Sequence, residues 1–332
     1  MNVTATQNTR NYVIDVVKGA LILCVIVGHL FDELVTENSV KWFFYSFHIP
    51  VFLGISGFVF NREKAQKQNI IDFAKTAFVN YGLPWLIASC IFLLIISNGQ
   101  PTLVDCIKCA IKPWYHLWYI PVYFLLCLAS KIWQVSAAKQ ALIALFVFTV
   151  SRLTLYNPEF AISQVKYLAL LGDSRLYTLG FFYFLGSFLR NNSRLRDNLN
   201  SQKAFAILFL CAVISIISNQ ILFHYYDYYL SVLTCLAINT CIIMLLPAAT
   251  SLFKDNAHSS MSLLIAKIGK NSLFFYLWHP LPLLLCKKLI YGDHPTYIEY
   301  VFTLLCTLAS IFAASSVISR FTKLSPILGI RS

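Results

Sequence analysis

The sequence predicts an all-α, polytopic integral membrane protein of about ten transmembrane helices, with both termini on the cytoplasmic side. Three observations predict it. Of 332 residues, 58% are hydrophobic, 15% aromatic and only 12% charged, too few polar groups to coat a soluble domain. Apolar runs near the roughly 17 to 25 residues needed to cross a bilayer recur near 13–31, 42–60, 78–97, 114–130, 138–153, 174–190, 204–223, 228–252, 271–290 and 297–318. With the N-terminus inside, 18 of the 26 Lys and Arg residues fall on the inner side of these runs, the bias that cytoplasmic loops carry. Basic loops facing an anionic leaflet also account for the net charge of +12 without any nucleic acid partner.

The first run follows a polar arm, residues 1–12, contains Asp15 and Lys18 and has no small-residue cleavage site, so it reads as a retained helix rather than a signal peptide. Lys18 and His29 are eleven residues apart, almost three whole turns, which puts them on one helix face about 16 Å apart at 1.5 Å per residue. Taken singly, Lys18 snorkelling to headgroups and His29 marking the outer end of the span is as good a reading as any functional one. Asp15, one turn before Lys18, and Asp32, one turn after His29, give each basic group an acidic neighbour and weaken that reading. A titratable ring beside a bilayer core is costly without a partner or a task.

The loop from Asp32 to Lys41 returns the chain so that His48, opening the second run, reaches the depth of His29. The following FHIPVFLGISGF holds Pro50, Gly54, Ser56 and Gly57, a small-residue surface for close helix packing or a ligand, packing being the commoner use. In the third loop Cys106 and Cys109 form a C-x-x-C near His116. A chance pair of loop thiols is several times commoner than a redox pair or part of a zinc site, and the cysteines within spans read as small apolar residues. In the fourth run WYHLWYIP places Trp114, Tyr115, Trp118 and Tyr119 as an interfacial aromatic belt. The run 138–153 is short, and 174–190, with Arg175, Gly180 and Gly186, also suits a broken or re-entrant helix packed within protein. In the ninth run GKNSLFFYLWHP opens with Lys270, Asn271 and Ser272, a helix N-terminus suited to an anion, and puts His279 at mid-membrane before Pro280. No repeat, low-complexity tract or long loop interrupts the series, so one domain is expected over 13–320, followed by a cytoplasmic tail at 321–332.

The ordered series IDVVKGALILCVIVGH, SFHIPVFLGISGF, WYHLWYIP, LGFFYFLGSFLR and GKNSLFFYLWHP resembles the acyltransferase-3 membrane family, nearest to its stand-alone sugar O-acetyltransferases of the fucose 4-O-acetylase type. The resemblance runs from about residue 10 to residue 320. It implies a multi-pass protein of the bacterial inner membrane that takes an acetyl group from cytosolic acetyl-CoA and delivers it, without a metal, to a hydroxyl of a glycan or lipid-linked sugar at the outer face. The family's basic-x10-His arrangement carries over to Lys18 and His29. Lys stands where many relatives have Arg, a point charge in place of a planar fork, and Gly54 stands where relatives often carry a bulkier aromatic. These departures leave the choice of acceptor open.

A sugar hydroxyl attacks a thioester only when a base takes its proton, and a neutral imidazole suits that task. His29 is therefore expected as the general base, oriented by Asp32 or Glu33. His48, His279 and Arg175 are expected to polarise the thioester carbonyl or hold the acceptor. The CoA phosphates are expected near Lys18, Arg62, Lys64 and Lys270, with Asp15 and Asn271 beside them, while the pantetheine arm follows the first helix inward. An acetyl-histidine relay is equally legal. Two other readings compete: a transporter or flippase using the same buried charges without covalent chemistry, and a metal or pH sensor built on His29, His48 and His116.

Overall fold

Asparagine, serine, aspartate and threonine side chains start most of the helices by accepting hydrogen bonds from otherwise orphaned backbone N–H groups. The computed structural model describes residues 11–111, 113, 116–155, 174–225, 227–253, 259–292 and 295–330, and among them it contains no strand. Helix α1, Tyr12–Gly28, begins at Asn11, whose side chain accepts from Val13 and Ile14. Asn38 starts α2, Ser39–Tyr45, and a break at Ser46 and Phe47 separates it from α3, His48–Val59. Next come α4, Ile70–Ile96, α5, Tyr119–Ile132, α6, Ala137–Leu155, and α7, Arg175–Asn191. Ser201 caps α8, Gln202–Leu222, and Asp227 caps α9, Tyr228–Leu252. Then follow α10, Ser260–Lys270, α11, Ser272–Trp278, and α12, Pro280–Ile290. A capping box of Thr296 and Glu299 opens α13, Tyr297–Ile318.

Each predicted run thus coincides with a helix or a broken pair. Among the described residues five helices are long and apolar enough to cross a membrane, or six when α11 and α12, bent by 41°, count as one broken span. The other runs fall on α1 and α7, 17 residues each, α5 with 14 and α6 with 19. Lipid-facing surface is plain on α8, where only Ala212 and Asn219 are buried while Ile207, Leu210, Ile214, Ile217 and Ile221 lie exposed, a pattern that water would penalise and hydrocarbon accepts. The break entertained for 174–190 is absent: α7 is continuous and largely buried, its Gly180 and Gly186 both inside. The interruption falls instead at His279, where Pro280 enters as a first-turn residue of α12 without a backbone N–H.

Glycines set the two tightest helix pairs. A Cβ on Gly57 would meet the Tyr183 carbonyl oxygen at 1.9 Å, and one on Gly186 would meet the Gly54 carbonyl oxygen at 1.9 Å. Backbone therefore touches backbone where α3 crosses α7, so Gly54 and Gly57 serve packing, while Pro50 and Ser56 face cavities. Gly19 against Ile265 and Gly269 against Asp15 do the same for α1 and α10. These pairs fix helices α1, α3 and α7, which carry most of the site.

Candidate active site

Four histidines from four separate segments converge. His29 ends α1, His48 opens α3, His116 lies in the turn before α5, and His279 sits at the break between α11 and α12. The His29 ring stacks on His279 with centroids 5.5 Å apart and planes 19° from parallel, and His116 meets His279 edge-on at 5.3 Å. Three of the rings, His29, His48 and His116, line a 560 Å³ cavity with Arg152, Arg175, Trp118 and Tyr45. The Arg175 guanidinium lies 4.3 Å from the centre of the Trp118 ring, a cation–π contact that aligns the charge along the cavity wall.

Backbone carbonyls determine which ring nitrogens keep a lone pair, because a carbonyl only accepts. His279 Nδ1–H donates to the Phe275 carbonyl at 2.9 Å, which leaves Nε2 basic. That nitrogen is buried and has no hydrogen-bond partner among the described residues. His48 Nδ1–H donates to the Phe44 carbonyl across the α2–α3 break, leaving its Nε2 basic as well. His116 Nε2–H donates to the Leu277 carbonyl at 3.2 Å. His29 differs: its Nδ1 is paired at 3.2 Å with the Tyr45 hydroxyl, a partner that both donates and accepts. Gly28 permits this pairing, since a Cβ there would come within 2.9 Å of Cε2 of Tyr45. Asn239 holds the break in place by donating to the Ser46 carbonyl at 2.8 Å, and the Tyr291 hydroxyl fixes the chain after His29 by donating to Leu30 at 2.9 Å.

A second cavity, of 570 Å³, opens toward the start of α1. Asp15, Lys18, Lys270, Asn61 and Arg190 line it together with Tyr81, Tyr119, Tyr123 and Tyr276. Lys18 and His29 thus belong to different cavities, one near each end of α1. Among the described residues Tyr276 is the one side chain that borders both.

Several expected placements differ. Asp32 does not orient His29 but pairs with Lys287 at 2.5 Å, and Glu33 accepts from the Tyr300 hydroxyl at 3.4 Å. Helix α1 stops at Gly28, so one-turn spacing no longer brings either carboxylate beneath the ring, and Tyr45 takes that place. Arg62 turns away from the lysine cavity: its guanidinium donates to the Trp133 carbonyl at 3.3 Å and to that of Val135. Lys64 lies exposed on the same short helix, Arg62–Lys67, outside the cavity lining. Lys131 answers Arg62 from the opposite strand of chain, donating to the Ala65 carbonyl at 2.7 Å and to that of Gln68. Asn271 makes no side-chain cap for α11 and donates to the Lys267 carbonyl at 3.4 Å, while Lys270 and Ser272 beside it line the lysine cavity. Trp118 and Tyr119 line the two cavities rather than a belt; Trp114 and Tyr115 lie outside the described residues. Cys106 and Cys109 share the helix Leu103–Ile111. Among the described residues no three His, Cys, Asp or Glu side chains are placed to hold a metal ion.

Sequence reasoning did not assign Tyr45, Tyr276 or Arg190 to the site and took His116 only as a sensor ligand. Tyr276 had a usable signal, standing three residues before His279 and so near it on a helix. Arg190 had none, since RNNSRLR presents it as one of three arginines.

Helices of membrane length enclosing a cluster of imidazoles, with a charged cavity on one side and an aromatic, arginine-bearing one on the other, define a multi-pass membrane protein equipped for acid–base chemistry. The acyltransferase-3 family model, described as an acyltransferase domain, matches residues 11–320, and the chain belongs to that family. Over 63 residues it is 35% identical to the nodulation protein NolL of Sinorhizobium fredii (strain NBRC 101917 / NGR234), a match covering 17% of this chain and 17% of that protein's length. No solved structure matches.

Proposed function

We propose that this protein transfers an acetyl group from cytosolic acetyl-CoA to a hydroxyl of a surface glycan or lipid-linked sugar on the opposite face of a bacterial cytoplasmic membrane. The observation that carries the reading is the separation of Lys18 and His29 into two cavities near the ends of one helix, meeting at Tyr276. In this reading the CoA phosphates stay with Lys18, Lys270 and Arg190, Asp15 frames the same opening, and the pantetheine arm runs along the tyrosine wall toward the histidines. Lysine and arginine supply the charge such phosphates require.

The acceptor hydroxyl lies in the histidine cavity. With Nδ1–H of His29 donated to Tyr45, Nε2 carries the lone pair and takes the hydroxyl proton as the sugar oxygen bonds to the thioester carbonyl carbon. The carbonyl electrons pass to its oxygen, whose developing charge the Arg175 guanidinium balances, while Nε2 of His48 and of His279, each left with a lone pair, accept from other hydroxyls of the sugar and hold it in place. As the electrons return, the carbon–sulfur bond breaks, CoA leaves as thiolate, and the proton on His29 neutralises it. No metal enters this scheme. Membrane lipid surrounds the protein and delivers a lipid-linked acceptor laterally.

The test compares surface glycans, by mass spectrometry, from cells with and without this protein, alongside acetyl transfer from labelled acetyl-CoA by the purified protein in vesicles. Loss of one acetyl mass per sugar when the protein is absent is the expected result. Identical glycans together with no label transfer would defeat the assignment and favour a transporter.

A further inference from the structure

The wall between the two cavities, where Tyr276 faces both, is braced by hydrogen bonds and ring contacts. Tyr276 forms it, 6% exposed, flanked by His116 at 4% and the fully buried Leu117. Its hydroxyl donates to the His116 carbonyl, while the His116 ring donates back to the carbonyl of Leu277, the residue after Tyr276. These reciprocal bonds tie the turn before α5 to α11 at two points. The Tyr276 ring is further held by His116, edge-on at 5.4 Å and 68°, and by Tyr119, tilted at 5.5 Å and 58°. Such a ring has little rotational freedom, and a group larger than the gap beside it meets a close-packed surface rather than a hinge.

We infer that Tyr276 determines acyl length: it admits the acetyl group of a CoA thioester and stops longer chains in the lysine cavity. The inference rests on the acyl-transfer reading above and deepens it. A thioester entering from the lysine cavity must bring its carbonyl to the histidines past this ring. A two-carbon acyl group ends beside the ring, whereas each further methylene must displace it or fold back among Tyr81, Tyr119 and Tyr123. The carbonyl of a longer chain is then withdrawn from His29 by the length of the excess. Tyr276 acts here as a specificity-determining residue, with the proton transfer left to His29.

The experiment measures binding and transfer with acetyl-, butyryl- and hexanoyl-CoA, using purified full-length protein in vesicles, for the parent and for Tyr276→Ala, Tyr276→Leu and Tyr276→Phe. The parent is expected to prefer acetyl over hexanoyl transfer by at least about tenfold, equivalent to about 1.4 kcal/mol. Tyr276→Ala should erase that preference, chiefly by raising hexanoyl transfer. Tyr276→Leu, which keeps an apolar side chain in the wall, should shift it part way and serves if the alanine variant fails to fold. Tyr276→Phe keeps the ring but loses the bond to His116, and it should keep the parental preference. A parental preference retained in both folded alanine and leucine variants overturns the inference while leaving acyl transfer standing. A parent that neither binds nor uses any acyl-CoA overturns the acyl-transfer reading and this inference with it.

Discussion

The two cavities are almost equal in volume, 560 and 570 Å³, yet differ in what lines them. The histidine cavity presents three imidazoles, two guanidiniums and aromatic faces. The lysine cavity presents two ammonium groups, a guanidinium, a carboxylate and a tyrosine floor. The first is equipped to move a proton beside a ring-shaped ligand, the second to grip charged groups and guide a flexible arm. On the proposed reading binding and chemistry are separated in space, and kinetic defects should separate in the same way.

The largest expected effect removes both regions together. Helices α3 and α7 each contribute to both cavities, through His48 and Ser56 on one and Arg175 and Arg190 on the other. Gly186→Leu would drive a side chain into the Gly54 carbonyl, 1.9 Å from the first added carbon, at a cost on the order of 3 kcal/mol. The expected outcome is a lower thermal transition in detergent and loss of all transfer; an unchanged melting curve would mean the helix pair is not the common support. Next, His29→Ala should lower kcat by about 100-fold or more, the usual worth of a general base, with helix content and membrane insertion intact. Full activity in that variant removes His29 as the base.

Lys18→Ala should act in the opposite sense, raising KM for acetyl-CoA about tenfold, equivalent to about 1.4 kcal/mol, with kcat little changed. Its KM should also depend less on salt than the parent's, since a half-buried charge contact has been removed. A fall in kcat alone would break the division between the cavities. The smallest change is Gly28→Ala, whose added methyl presses on the Tyr45 ring and should loosen the His29 pairing. A few-fold loss of kcat at constant KM is expected, and raised KM for acetyl-CoA would argue against Tyr45 as the orienting group.

The helices were legible because a bilayer demands long apolar runs, and every one of the ten runs coincides with a helix or a broken pair. The Lys18 and His29 spacing was legible because both belong to one helix, whose geometry is known in advance. Contacts between distant segments were not. Nothing in YSFH announces that Tyr45 reaches back over Gly28, and Asp32 looked one turn from His29 only on the assumption that α1 continued. Arg62 and Lys64 looked free to meet phosphate because charge alone was visible; the carbonyls of Trp133 and Val135 that hold Arg62 lie some seventy positions away. His116 read only as a sensor ligand because its partners, Tyr276 and Leu277 of α11, lie some 160 positions away.

The cross-stitch of Arg62 and Lys131 has an electrostatic consequence. Each cation donates to main-chain oxygens of the other's segment, knotting residues 62–68 to residues 131–135. Two of the 26 basic side chains therefore act as internal fasteners. Because these bonds run to neutral carbonyls and not to carboxylates, both charges persist, and the knot should hold at ionic strengths that strip loosely attracted counterions away.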